Sequence, residues 1–258
     1  MSPYLFILAL ELLAVKIRDE KLIKGFKIDQ SEIKITIYAD DMTLILKDLA
    51  SAKNAFRVMK EFEKCSGLKI NMEKCEGMWL GSNHQSNVTP LEIKWPKGPI
   101  KVLGIYLSYN TTEAIKANFE DKIASLLKQL HWWKARKLSL TGKILIIKAL
   151  GLSKFALIAS LLHIPTDYVI KINTLIYNFL WNGKSDKVKR KIVTQDYDKG
   201  GLKMIDFKHM IVAAKIKWVK RYIGFGNADW KVLFEKFCNK INLKLFLRCN
   251  FSLKEVTR

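Results

Sequence analysis

The chain has 258 residues, of which 49% are hydrophobic and 27% charged. This composition is typical of a folded globular protein and argues against a disordered tail, and the length allows one large domain or two smaller ones. Lysine and arginine outnumber the acidic residues 45 to 24, which gives a formal net charge of +21. Because a folded domain this basic repels itself unless a polyanion neutralises it, nucleic acid is the expected partner, with an anionic membrane surface as the alternative.

Two apolar stretches have the composition of membrane segments. Residues 4–15 are interrupted by Glu11 and lack the basic start and the small-residue cleavage site of a signal peptide. Residues 144–164 contain Lys148 and Lys154, each of which would cost about 2.5–3.5 kcal/mol near the centre of a bilayer. We therefore expect a pair of buried helices here and no membrane segment.

Cysteine spacing indicates reduced, structural thiols. There is no CxxC sequence, and no histidine stands at the spacing of a zinc finger. The four cysteines are Cys65, Cys75, Cys238 and Cys249. An intracellular protein, in the cytoplasm or nucleus and not secreted, is the expectation.

The chain begins with a predicted helix. Ser2 is a candidate N-cap and Pro3 suits the first helical position, where its missing N–H costs nothing. Apolar residues follow at spacings of three, four and three, namely Leu5, Leu8, Leu12 and Val15. The helix is expected to end near Arg18, and its start without a lead-in indicates a chain cut from something longer.

From Ile33 the apolar period changes to two, which is typical of a strand. Asp40 and Asp41 follow, and a second β-prone piece covers residues 43–46, so we predict a hairpin with both acids at its tip. A helix over residues 49–65 should end at Gly67. Short strands near residues 78–80 and 102–106 would complete an α+β arrangement of helices packed on an antiparallel sheet.

After about residue 112 the sequence pattern is helical and no longer that of strands. Phe119, Ile123, Leu126, Leu130 and Trp133 form one helical stripe. A second helical block covers residues 140–162 with a possible break at Gly151, a third helix follows Pro165, and the last clear helix covers residues 207–222. A basic loop with glycines at both ends, residues 182–201, precedes that last helix.

Adjacent acids at a hairpin tip have two interpretations. Mg²⁺ is a hard ion held by a few carboxylates and substrate phosphates, and two metals can assist nucleotidyl transfer. The alternative is a solvated turn, because aspartate is common in turns for local reasons.

The sequence around the acids resembles a known family. Tyr38-Ala39-Asp40-Asp41 between hydrophobic strands resembles motif C of the reverse transcriptases of LINE-type, non-LTR retrotransposons. Other segments resemble that family's motifs in order: residues 2–6 (SPYLF) the tail of motif B, 66–71 (SGLKIN) with Lys74 motif D, 102–105 (VLGI) the primer grip of motif E, and 138–143 (LSLTGK), 179–181 (FLW) and 199–202 (KGGL) the region after the palm.

The resemblance implies the roles of particular residues. Asp40 would be the principal metal ligand and Asp41 its partner, with Mg²⁺, or Mn²⁺ in its place, as the cofactor. Tyr38, with Ala39, would lie against the incoming nucleotide or primer end. Lys74 would approach the triphosphate as a proton donor or charge neutraliser; the alternative is an ordinary solvated lysine. Gly104 would allow close backbone approach at the primer grip.

The resemblance also implies an architecture. Residues 1–111 would be a partial palm carrying the end of motif B and motifs C, D and E, with helices on an antiparallel sheet. Residues 112–182 would be an all-α thumb, and residues 183–258 a basic loop and helical tail. The partners would be an RNA template, a DNA primer and deoxynucleoside triphosphates.

The family's motif A aspartate has no counterpart, because the chain begins inside motif B. We therefore expect a C-terminal fragment of an RNA-directed DNA polymerase that does not polymerise by itself and that lacks its N-terminal half as a partner.

Basic and aromatic residues in the second half favour contact with nucleic acid. The best phosphate-contact patch is Lys184, Lys187, Lys189, Arg190 and Lys191, and Trp132 is the best candidate for stacking, whereas Trp133 and Trp218 fit the core. Three interpretations stay open: a reverse transcriptase fragment, a non-catalytic RNA- or DNA-binding module, and an unrelated helical protein at a membrane surface.

Overall fold

A computed structural model describes residues 2–81, 89, 91–224, 226 and 228–238. Packing divides the chain into two units. Unit 1 comprises residues 1–79, 85–95 and 225–258, and unit 2 comprises residues 80–84 and 96–224. Helices combine with small antiparallel sheets, as the α+β prediction requires. The units rest on packing alone, and the division into palm, thumb and tail stays a prediction.

Unit 1 contains three helices and two hairpins within the described residues. In chain order they are α1 (Ser2–Asp19), β1 (Phe26–Ile28), β2 (Ser31–Ile33), β3 (Ile35–Tyr38), β4 (Asp41–Leu44), α2 (Leu49–Ser66) and α9 (Asp229–Cys238), with a 3₁₀ turn at Met72–Lys74. The opening helix and the hairpin with two acids are thereby confirmed. No periodicity had singled out α9, although it lies within the helical tail that the resemblance implied.

Local side chains fix the ends of α2. The carboxylate of Asp48 accepts the Ser51 backbone N–H at 2.8 Å, which satisfies one of the free donors of the first turn. This hydrogen bond and one from the Ser51 side chain hold the pKa of Asp48 below its usual value. Gly67 ends the helix with φ of 73°, as predicted, because this left-handed conformation favours glycine.

The core of unit 1 lies between its first two helices and the second hairpin. Its buried members are Leu13, Ala14, Ile17, Ile23, Ile35, Ala55, Val58 and Met59. An alternating strand therefore meets one face of each helix. This packing supports the hairpin that carries the two acids.

Unit 2 contains one hairpin and a set of helices. In chain order they are β5 (Ile100–Val102), β6 (Ile105–Leu107), α3 (Thr111–Lys134), α4 (Leu140–Ile146), α5 (Ala156–Leu161), α6 (Thr166–Leu180), α7 (Arg190–Val193) and α8 (Phe207–Ile223). The predicted stripe on α3 is confirmed, since Phe119, Ile123, Leu126 and Leu130 are all buried, whereas Trp133 packs at the edge of that core.

The apolar block from α4 to α5 changes its helix type near Gly151, where a break was predicted, but stays helical throughout. A π-helical turn covers Ile147–Gly151 and a 3₁₀ turn covers Leu152–Phe155. Leu140–Leu161 is one helical stretch in the described residues that is long and apolar enough to cross a membrane. Ile144, Ile147 and Phe155 from it belong to the core of unit 2, which is the usual position for an apolar helix in a folded domain.

Four details of the sequence prediction were wrong. The described strands form three separate two-stranded sheets and not one sheet. Residues 78–80 are not a strand, because the pairing there is a single bridge between Glu76 and Lys94. Residues 102–106 include the turn of the β5–β6 hairpin. The basic loop is interrupted by the short helix α7, which contains Arg190 and Lys191.

Candidate active site

The β3–β4 hairpin presents the two predicted metal ligands. Tyr38 pairs with Asp41, so the loop between the strands has only two residues, Ala39 and Asp40. Ala39 has φ of 53°, a left-handed conformation that costs an L-residue about 1–2 kcal/mol. The two acids thus have different positions in the hairpin. Asp40 lies in the loop, and Asp41 is the first residue of β4.

The register of the hairpin separates its two faces. Ile35 pairs with Leu44 and Ile37 with Met42, and these side chains pack against the core of unit 1. Since successive residues of a strand point to opposite faces, the pair Tyr38 and Asp41 lies on the other face. The helices of unit 1 support one face, and the other carries Thr36, Tyr38, Asp41 and Thr43.

Both carboxylates are accessible. Asp40 and Asp41 are exposed, and so is the ring of Tyr38, with 70% of its surface accessible. Within the described part of the chain no basic side chain forms an ion pair with either aspartate. Two free carboxylate groups are hard oxygen donors of the kind that Mg²⁺ and Mn²⁺ take, so the donor set fits a divalent ion.

The described residues do not provide a third donor. No group of three or more histidine, cysteine, aspartate or glutamate side chains is close enough there to hold a metal. Two adjacent carboxylates leave most positions of an octahedral ion to water, substrate phosphates or another ligand. The site is therefore partial.

Lys74 lies in unit 1 at the end of the 3₁₀ turn Met72–Lys74, and its side chain is exposed. Asn71 starts this turn by accepting the Lys74 backbone N–H with its side-chain oxygen at 3.3 Å. No hydrogen bond or ion pair joins Lys74 to the aspartates in the described structure. Its role at a triphosphate stays a prediction.

Gly104 lies in unit 2, in the two-residue turn of the β5–β6 hairpin. Its φ is 83°, and Leu103 before it has φ of 49°, so both central residues are left-handed. This is the twist that two-residue hairpins favour, and its left-handed backbone favours glycine at Gly104. The turn explains the glycine at this position, and contact with a primer stays a prediction.

Comparison with known proteins finds a similarity in the part of the chain that contains this hairpin. Residues 1–107 match the family described as "Reverse transcriptase (RNA-dependent DNA polymerase)". A protein of Xenopus laevis, "Transposon TX1 uncharacterized 149 kDa protein", is 25% identical over 248 residues, which cover 93% of this chain. The first 107 residues are therefore similar to reverse transcriptases, and most of the chain is similar to a transposon protein. It spans 19% of the length of the Xenopus relative.

The basic side chains of the predicted phosphate-contact loop differ in what they contact. Lys184, Lys187, Lys189 and Lys191 are exposed. Arg190 instead stacks over the Tyr177 ring at 4.2 Å and donates to the Asp186 carboxylate at 2.7 Å. Burial raises the pKa of Tyr177, while the charge of Arg190 opposes the rise. The lysines are the cations left for a polyanion.

The tryptophans of unit 2 occupy different environments. Trp132 is 67% exposed, as expected for a stacking candidate. Trp133 is half-buried against the core, Trp181 is buried, and Trp218 is half-buried and donates its ring N–H to the Ser160 carbonyl at 2.9 Å. The expectation that Trp133 packs against the core is confirmed, whereas the same expectation for Trp218 stays a prediction.

Sequence reasoning missed two buried lysines, Lys34 and Lys143. Lys34 donates to the carbonyls of Arg18 and Glu20 at 2.6 and 2.9 Å, just after α1. Lys143 donates to the Leu180 carbonyl at 3.2 Å and to the Asn182 side chain at 2.6 Å, at the end of α6. Each places a cation against carbonyl oxygens near a helix C-terminus, where it interacts favourably with the helix dipole. Of these two lysines, only Lys143 lies in a segment that the sequence analysis had singled out, LSLTGK at residues 138–143.

Proposed function

We propose that this chain is part of an RNA-directed DNA polymerase, with Asp40 and Asp41 as ligands of a catalytic divalent ion, Mg²⁺ or Mn²⁺. The observation that supports the proposal is a pair of exposed, unpaired carboxylates at a hairpin turn whose opposite face is packed against helices. The substrates would be deoxynucleoside triphosphates on an RNA template with a DNA primer. Unit 1 would contribute to the palm.

The candidate site residues would have different roles. Asp40 and Asp41 would hold the ion, which when bound supplies charge stabilisation for the attacking and leaving oxygens. Tyr38 presents an exposed ring beside Asp41, where it would position a base or the primer end. Lys74 would neutralise phosphate charge or give a proton to the leaving pyrophosphate.

We further propose that the site needs a third carboxylate from the N-terminal half of the polymerase. Two aspartates alone hold two metals poorly, and the described residues offer no third donor. The chain by itself is therefore expected to bind a divalent ion weakly and not to polymerise. Its missing half would be its main protein partner.

Two assays on the purified chain test the proposal. Mn²⁺ titration followed by electron paramagnetic resonance should show a weak site, and Asp40→Asn with Asp41→Asn should lower its affinity by at least about tenfold, because both ligands are removed. Primer extension with Mg²⁺, an RNA template and a DNA primer should give no template-dependent product.

A matched control is the double substitution Glu120→Gln with Asp121→Asn, which removes two adjacent exposed acids from α3. It should leave Mn²⁺ binding unchanged. Equal loss in both double variants would assign the binding to general negative charge and not to the hairpin. Template-dependent synthesis by the unaltered chain would contradict the need for a third carboxylate.

A second candidate function is a non-catalytic RNA- or DNA-binding module. The four exposed lysines of the basic loop and the net charge of +21 favour it. This function would persist in a chain whose two carboxylates hold no ion, so binding of RNA by the Asp40→Asn, Asp41→Asn variant separates the two.

We also propose an intracellular location, in the cytoplasm or nucleus. Cys65, Cys75 and Cys238 are free thiols, and burial raises the pKa of Cys75, which keeps that thiol unreactive. Cys249 lies outside the described residues. Microscopy of a tagged chain would test the location, and secretion into the medium would contradict it.

A further inference from the structure

A recess of about 340 Å³ opens on the surface of unit 2 beside the C-terminal half of α3. Its wall is built from successive turns of that helix. Lys128, Gln129, Trp132 and Trp133 follow at spacings of three and four, which places them on one side of the helix. Arg136 lies just beyond the helix, which ends at Lys134. Lys154 closes the recess by donating its ammonium group to the Ser125 hydroxyl at 3.0 Å.

The two tryptophans of the recess differ in what their rings contact. Trp133 is half-buried against the core, and the Arg136 guanidinium lies 4.5 Å from its ring centre. Trp132 is 67% exposed. Exposure of the apolar indole ring to water is unfavourable. A planar ring that stacks on it removes part of that surface from water.

The charge of the recess is positive. Lys128, Arg136 and Lys154 line it, and its lining residues include no acid. Arg136 is held by an aromatic ring and Lys154 by a hydroxyl, so neither charge is neutralised. A ligand that brings one or two negative charges next to an aromatic ring would match this lining.

One polar group in the wall has no partner. The Gln129 side-chain oxygen is buried and has no hydrogen-bond partner in the part of the chain that the structure describes. Leaving such an acceptor unsatisfied is unfavourable, and an amino group from a ligand would satisfy it once the amide turns toward the recess. Nucleobases carry such amino or imino N–H groups on their edges.

We propose that this recess binds one unpaired nucleotide of a single-stranded RNA or DNA. The base stacks on Trp132, its edge donates to Gln129, and Lys128, Arg136 and Lys154 contact the flanking phosphates. The volume is at the lower end of the roughly 300–1,000 Å³ of small-ligand sites, which suits one nucleotide and not a duplex. The site uses no residue of the β3–β4 hairpin, so it goes beyond polymerase activity.

Fluorescence anisotropy of the full chain with labelled twelve-residue oligo(U), oligo(dT) and a duplex of the same length tests the proposal. Trp132→Ala should weaken single-strand binding by about tenfold and leave duplex binding unchanged, whereas Trp132→Phe should retain most of the affinity because a phenyl ring still stacks. Arg136→Gln and Lys154→Gln should each lower the salt slope of single-strand binding by about 0.7.

Tyr197→Ala is the matched control, since Tyr197 is another exposed aromatic of unit 2 with a lysine, Lys203, over its ring. It should leave the single-strand affinity unchanged. Equal losses in Trp132→Ala and Tyr197→Ala, or equal losses on single strands and duplex, would overturn the proposal. So would a Trp132→Ala variant that no longer binds phosphatidylserine vesicles but still binds oligo(U), which would make the recess a membrane contact.

The Asp40→Asn, Asp41→Asn variant distinguishes this proposal from the proposed polymerase function. It should bind oligo(U) as the unaltered chain does, whatever the outcome of the Mn²⁺ titration. Comparing oligo(U) with oligo(dT) tests whether the site distinguishes ribose from deoxyribose. Equal affinities indicate recognition of base and phosphate alone, and a preference for oligo(U) indicates a contact to the 2′-hydroxyl. Loss of oligo(U) binding in this variant would contradict a site confined to unit 2.

Discussion

Lys143 is a charged residue placed where a hydrophobic residue would be expected, since only 6% of its surface is accessible. It is tolerated because its ammonium group donates to the Leu180 carbonyl and the Asn182 side chain at the end of α6. Burial of a charge is costly unless hydrogen bonds compensate for it. The burial, with the charge of Lys134, holds the pKa of Lys143 below its usual value of 10.5.

Replacing this lysine should destabilise unit 2. Lys143→Met should lower the free energy of unfolding by about 1–3 kcal/mol, because the Leu180 carbonyl and the Asn182 side chain lose a donor. Urea denaturation measures the change. Lys116→Met, at an exposed position on α3, is the control and should lie within about 0.5 kcal/mol of the unaltered chain. Similar losses in both variants would argue against a capping role.

The same residue predicts a direction of pH dependence. Since its pKa is lower in the folded state than in the unfolded state, the unfolded chain binds more protons as the pH rises toward 10.5, the ordinary value. The stability of the unaltered chain relative to Lys143→Met should therefore increase as the pH is raised from neutrality toward that value. A difference that is flat or decreasing over this range would contradict the lowered pKa.

Among elements, the segment between α7 and α8 is held together by backbone hydrogen bonds. The Gly201 N–H donates to the Asp196 carbonyl at 2.9 Å, and the Lys203 N–H to the Gln195 carbonyl at 2.8 Å. A Cβ atom at position 201 would collide with the backbone carbonyl of Gln195. The second glycine of the KGGL segment is thus explained by the close approach of two backbones.

Gly201→Ala should therefore lower the free energy of unfolding by about 1–3 kcal/mol, the range for overpacking against atoms that cannot move easily. Thermal or urea denaturation measures it. Gly98→Ala is the control: it lies in the same unit in open space with no left-handed backbone, so it should be neutral or slightly stabilising. A neutral result at position 201 would show that the segment can open to admit a methyl group.

Helices were predictable from the sequence and sheets were less so. The stripe of α3 and the ends of α2 depend on local periodicity and caps, which the sequence contains. Strands of three or four residues give too few alternations to fix their ends, so the hairpin at residues 100–107 was predicted as one strand. The buried lysines depend on interactions across tens of residues, such as Lys143 with Leu180, and no local pattern contains them.

Some residues of the candidate sites were likewise predictable from the sequence and others were not. The aspartate pair and its hairpin were predictable because the turn, the flanking strands and the acids are contiguous. The recess beside α3 was only partly so: Trp132 was singled out, but Gln129 and Lys154 were not, because Lys154 comes from a different element. The stacking of Arg190 on Tyr177 likewise joins a loop to the preceding helix.

For the whole molecule, the excess of basic residues predicts salt-dependent binding. Changing Lys184, Lys187, Lys189 and Lys191 together to Gln should lower the slope of log affinity for single-stranded RNA against log salt by about 0.7 for each phosphate that these lysines neutralise. Filter binding over a salt series measures the slope. Removing four other exposed lysines, Lys21, Lys27, Lys60 and Lys64, is the control for charge alone. Equal slopes in both variants would argue against a local phosphate-contact patch.

At the hairpin β5–β6 the end of the family match and the start of a folded unit do not coincide. The family match ends at residue 107, yet β6 is fastened to α3: the buried Asn118 amide donates to the Tyr106 carbonyl at 2.7 Å and its oxygen accepts the Tyr106 N–H at 2.9 Å. Cutting after residue 107 would remove the two hydrogen bonds to Tyr106 and leave this buried asparagine its bond to the Ala114 carbonyl. Anyone excising the helical half for crystallisation should therefore start upstream of residue 100, near Pro96, and keep the last matched strands with the helices they serve.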